Sequence, residues 1–282
     1  GCRRTCVPIS NDNKFFLFAH VFTRKLPALN KLPQKYVMEL FLIAAAVTLG
    51  GFFKGLNGFG YALISTSLLA TFLPPEQAVS LMIIPLIAAN IELASELSFR
   101  ELRNCLENFS GLIFSLLIGV TAAMIFIDKM PQEILRKMVG TLAILYVASN
   151  ISFLEQFSGK IRILCFKTWE PAIGFFSGIV YGSTNVALPT VTYLKSRNLG
   201  ERKFTSMLGL TILVVSVYRI ILAAGTGMYG ARSSIILSSL VAVPGVVAVF
   251  AGEKASQKIP GKYTSATALI LITLTGFKLL LP

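Results

Sequence analysis

Six apolar blocks, 77–97, 108–127, 132–153, 203–224, 233–252 and 263–281, recur along the chain. Each is close to the roughly 20 residues a helix needs to cross about 30 Å of hydrocarbon. Lipid offers no water to pair backbone amides, so segments of this length and composition are expected to be helices. Composition points the same way: of 282 residues, 54% are hydrophobic and 14% charged, with a mean hydropathy of +0.72. That leaves too little polar surface for a water-soluble domain. The expected class is all-α, a polytopic membrane protein.

The charge balance is strongly positive, 26 Lys and Arg against 13 Asp and Glu. The charges fall between the apolar blocks, where they act as topology signals and lipid-headgroup contacts. No segment after residue 37 offers the solvated basic face that nucleic acid needs, so a nucleic-acid partner is excluded. Cys2, Cys6, Cys105 and Cys165 form no CxxC pair, and the one histidine, His20, lies in the basic tail. No metal site, cofactor or disulfide framework is expected. A Walker A string is absent, and no serine has a histidine or lysine at catalytic spacing, so an enzyme is not expected.

Residues 1–37 carry seven basic side chains around a short apolar patch, 15–22, too short to span. Met38 stands directly before a long apolar run. One reading makes Met38 the start of the fold, with 1–37 a leader or an upstream remnant; the other makes 1–37 a basic tail. Beyond it, 38–153 and 170–282 read as two homologous transmembrane repeats joined by a basic loop, 154–169. Each opens with an apolar stretch interrupted by glycine and polar residues, 38–73 and 170–195. The strings Gly51-Phe52-Phe53-Lys54-Gly55 and Gly174-Phe175-Phe176-Ser177-Gly178 match at four of five positions. Each interrupted stretch is read as a helical hairpin followed by three spanning helices. If both hairpins leave on the side they entered, the loops 98–107, 154–169, 195–203 and 253–262 share one face with twelve basic residues against five. The repeats are then inverted. If each stretch crosses once, they are parallel.

The glycine-rich centres carry the candidate site. A helix broken near Gly58 presents unpaired amides and a positive dipole end, which attract anions. Asn57, Gly58 and Gly60 in the first half, and Gly182, Ser183, Thr184 and Asn185 in the second, are expected to coordinate a small anion. The alternative is that the glycines let helices pack closely. Lys54 and Arg219 are the candidate cations; snorkelling is the competing role for Lys54, and pairing with Glu92 or lipid phosphate for Arg219. Glu92 is the candidate coupling carboxylate.

The string Gly50-Gly51-Phe52-Phe53-Lys54-Gly55-Leu56-Asn57-Gly58-Phe59-Gly60, its echo over 174–189 and the length after Met38 resemble the sulfite exporter TauE/SafE family. Ser183-Thr184-Asn185 departs from the more glycine-rich second motif of that family. The resemblance implies a duplicated permease of the cytoplasmic membrane that moves small anions, often sulfite or organosulfonates. The reading is a secondary transporter, an exporter, with membrane lipids and a small anion as partners. A passive anion channel and a non-transporting membrane partner protein are the alternatives. Apolar surfaces facing lipid and facing a second subunit look alike, so oligomerisation stays open.

Overall fold

A computed structural model describes residues 34–282, apart from 59, 96–102, 104–106, 128, 151–168, 198, 227–230, 260 and 282. The basic tail up to residue 33 and residues 154–168 of the connecting loop 154–169 lie outside the described residues. So does the side chain of Glu92, although its backbone is helical. The chain divides into two compact units, 1–42 and 43–282. Of the first, only the opening turns of one helix are described; the packing below is that of the second.

The described residues are helical throughout. In chain order the helices are α1 (Gln34–Asn57), α2 (Tyr61–Leu69), α3 (Pro75–Leu81), α4 (Ile83–Ser95), α5 (Ser110–Ile127), α6 (Gln132–Asn150), α7 (Glu170–Thr184), α8 (Leu188–Ser196), α9 (Glu201–Thr226), α10 (Ala231–Ser256) and α11 (Gly261–Leu280). Five stretches are long and apolar enough to cross a membrane: Met38–Asn57, Ser110–Ile127, Lys203–Gly225, Ile235–Ser256 and Tyr263–Leu280. The expected span at 132–153 forms α6, but Glu133, Arg136 and Lys137 in its first turns keep it out of that set.

Both interrupted stretches break as long helix, turn, short helix. Gly58 and Gly60, with φ of 79° and 96°, separate α1 from α2; such backbone is strained for any residue with a Cβ. The first piece is longer than two equal halves would be, because Gly51 and Gly55 stay inside α1. They serve close packing instead. A Cβ on Gly252 of α10 would lie 3.0 Å from Gly55 Cα, and one on Gly119 of α5 would lie 3.0 Å from Gly178 Cα of α7. The two glycine strings therefore seat their helices on partners distant in sequence, α1 on α10 and α7 on α5, as small residues do where backbones must touch. For Gly51, Gly55, Gly174 and Gly178, close packing is the role the structure displays.

The expected single span at 77–97 is instead two helices, α3 and α4, joined at Met82. Pro85 explains the break, since it has no N–H to give to the carbonyl four residues back, Leu81. A side chain from α10 repairs the gap. Ser238 Oγ donates to Leu81 O at 2.7 Å and accepts from Ile84 N at 3.3 Å. A buried carbonyl left without such a donor costs about 1–3 kcal/mol. Around these breaks sits the main apolar core, with Leu69, Ala70 and Met82 fully buried.

Candidate functional site

Asn185 ends α7 in the left-handed region, with φ 60° and ψ 7°. It is the one described residue other than glycine with positive φ, a conformation asparagine tolerates better than most. The position is fully buried, and the carboxamide is used at both ends. Nδ2 donates to Val79 O at 2.8 Å and to Thr66 Oγ1 at 3.4 Å, while Oδ1 accepts from Arg219 Nη1. One side chain thus ties the end of α7 to α2, α3 and α9.

Arg219 lies in α9 with 0% exposure. Its other two nitrogens, Nε and Nη2, are buried and have no hydrogen-bond partner among the described residues. Among the described residues no carboxylate pairs with it, the side chain of Glu92 lying outside them; the ion pairs Arg103–Glu107 and Lys137–Glu133 stand at exposed positions. A guanidinium is charged at any attainable pH, and a buried ion that lacks a counter-charge costs several kcal/mol. The Nε–H and Nη2–H bonds leave the same edge of the group in parallel, the fork that matches two oxygens of one oxyanion.

A second rung of contact supports the first. Tyr181 OH lies 3.3 Å from Ser216 Oγ, one turn before Asn185 on α7 and one turn before Arg219 on α9. Residues three or four apart share a helix face, so the two pairs hold the two helices in register. Ser216 is fully buried and Tyr181 nearly so.

The remaining expected residues are distributed more widely. Ser183 Oγ donates to Ile179 O at 2.7 Å and Thr184 Oγ1 to Val180 O at 2.6 Å, so both hydroxyls are spent on their own helix. Gly182 packs against Val120 and Ala123 of α5. Lys54 is buried in α1 and donates to Ala89 O and, at 2.9 Å, to Asn90 Oδ1, both in the middle of α4. Asn57 Oδ1 accepts from Thr264 Oγ1 at 2.8 Å and Ser265 Oγ at 3.3 Å, at the start of α11. Gly58 is exposed and Gly60 half-buried.

Asn185 and Arg219 are thus brought together, while Lys54 and Asn57 meet partners on α4 and α11. Thr66, Val79, Tyr181 and Ser216 were missed by sequence reasoning. No group of three or more His, Cys, Asp or Glu able to hold a metal ion occurs among the described residues.

A family model described as Sulfite exporter TauE/SafE matches residues 42–279. No curated protein and no solved structure matches the chain.

Proposed function

Because the chain belongs to the sulfite exporter TauE/SafE family, we propose that it is a secondary transporter, working as an exporter, that binds its anion on the free edge of Arg219. The single observation that carries this reading is a fully buried guanidinium with two nitrogens that have no partner among the described residues. An anion with two oxygens on one centre, such as sulfite or an organosulfonate, supplies both the charge and the acceptors that this edge lacks.

In this reading Asn185 is a positioning residue. Its oxygen fixes one guanidinium nitrogen and its nitrogen is anchored on Thr66 and Val79, so the free fork is held in a defined orientation. Preorganised donors bind an anion without the ordering cost that a mobile side chain would incur. Lys54 supports the site by tying α1 to the middle of α4, which packs along α9. The reciprocal seating of α1 on α10 and of α7 on α5 supports a duplication into halves 38–153 and 170–282, with the site between them and the repeats inverted. The cytoplasmic membrane is the proposed location.

The test is uptake of labelled sulfite into proteoliposomes. Arg219→Gln is expected to lose sulfite transport while purifying with native helical content. Arg219→Lys keeps the charge and loses the fork, and is expected to bind sulfite about tenfold more weakly. Sulfite uptake by Arg219→Gln at the wild-type rate would remove this residue from the site.

A further inference from the structure

Among the described residues one carboxylate is buried: Glu170, 4% exposed, in the first turn of α7. Sequence reasoning passed over it because it borders a basic loop and looks like an ordinary residue of a helix first turn. Its two oxygens reach two different helices. Oε1 accepts from the Leu112 amide at 3.0 Å, in the first turn of α5, and Oε2 accepts from Tyr193 OH at 3.0 Å, on α8. Among the described residues, the carboxyl thus accepts hydrogen bonds from one backbone amide and one phenol. Arg197, directly after α8, holds its guanidinium carbon 5.9 Å from the Tyr193 ring centre and 6.0 Å from that of Phe109. No Lys or Arg among the described residues forms an ion pair with Glu170.

Two features separate this group from a structural cap. A capping acid at a helix start is ordinarily solvated and serves its own helix; Glu170 is buried and serves two others. It also sits at the opposite end of α7 from Asn185, about 22 Å away along a helix of 15 residues. The hairpin of α7 and α8 thus carries the anion-positioning residue at one end and a latch at the other. The ionised carboxylate is a strong acceptor and holds α8 and α5 to α7. Protonation places a hydrogen on one oxygen, weakens that acceptor and loosens the hold on α8 or α5.

We propose that Glu170 is the proton-carrying residue of the transport cycle: it takes up and releases one proton per cycle, and the latch it forms couples that proton to movement of the α7–α8 hairpin. Protonation changes which hydrogen bonds a carboxyl can accept, so a buried carboxylate that joins two other helices can convert proton binding into movement. This rests on the anion reading above, since a proton couples to transport only if an anion is moved.

The test uses proteoliposomes loaded with labelled sulfite, with the same pH inside and outside. Exchange is measured into medium containing unlabelled sulfite, and net efflux into medium without it. Exchange needs only the loaded carrier to reorient, whereas net efflux needs the empty carrier to return with its proton state reset. Wild type is expected to perform both. Glu170→Gln is expected to retain exchange within about twofold and to lose net efflux by at least about tenfold, and Glu170→Asp to recover part of it. Equal loss of both modes in Glu170→Gln, or loss of neither, would overturn the proposal, the first because it marks a structural cap. Arg219→Gln is run in parallel and is expected to lose exchange as well. Exchange retained by Arg219→Gln would count against the anion site and leave the Glu170 result readable; wild type without either mode would overturn both readings.

Discussion

A buried arginine with two open donors is an expensive residue, and its cost makes a specific prediction. In the absence of anion, Arg219→Gln is expected to melt at a higher temperature than wild type. Glutamine can still donate to Asn185 Oδ1 and removes the uncompensated charge. Adding sulfite is expected to raise the wild-type midpoint and leave the variant unchanged, because a ligand stabilises only the form that binds it. A variant that melts lower without anion would mean that the guanidinium is satisfied within the protein. The glycines make an independent prediction. Gly178→Val would drive a branched side chain into the backbone of Leu116 and Gly119, and overpacking of this kind costs about 1–3 kcal/mol or more. Gly200→Ala, with nothing near its Cβ, is expected to be neutral in the same melting assay. Much of this scale was legible beforehand. Arg219, Asn185 and the paired glycine strings stand out in the sequence as a charge, an amide and small residues inside apolar blocks. Whether a given glycine broke a helix or seated one was not legible, because both uses put the same residue in the same composition. Gly58 and Gly60 break; Gly51, Gly55, Gly174 and Gly178 seat.

At the scale of elements, the joint between α3 and α4 is held by a residue more than 150 positions away in the chain. If Ser238 repairs the carbonyl that Pro85 orphans, the two residues are energetically coupled. Ser238→Ala is expected to cost about 1–2 kcal/mol in the wild-type background. It is expected to cost less in Pro85→Ala, where residue 85 again has an N–H to give to Leu81 within the helix. A double-mutant cycle on thermal stability measures the coupling, expected at about 1 kcal/mol; additive effects would show that the serine is not the substitute donor. Hydropathy indicated the span but not the split, since Pro85 lies in an apolar run that otherwise reads as continuous. Asn185 shows the same limit. Its chain position marked a break, but its partners Thr66 and Val79 belong to a distant part of the sequence, and nothing in local pattern identifies them.

At the scale of the whole molecule, the pairing of helices gives the site its place. The string around Gly51 packs on α10 and the string around Gly174 on α5, so each of these helices is clasped by one distant in sequence. Asn185, Arg219, Thr66 and Val79 converge from four helices in distant parts of the sequence, so the proposed anion site would be a product of the assembled bundle. This class and its family were readable from apolar blocks and the glycine-rich string, because membrane spanning leaves a strong imprint on composition. The carboxylate latch at Glu170 was not readable, because its burial arises only when α5 and α8 close over it.

The most direct test of the account is to locate the bound anion. Selenite has the shape and charge of sulfite and carries a heavier central atom that diffraction can place without ambiguity. The account predicts selenite oxygens about 3 Å from Arg219 Nε and Nη2, with Asn185 still held on Thr66 and Val79. Selenite found beside Lys54 or at the Gly58–Gly60 turn, with the Arg219 edge filled by a group of the protein, would contradict it.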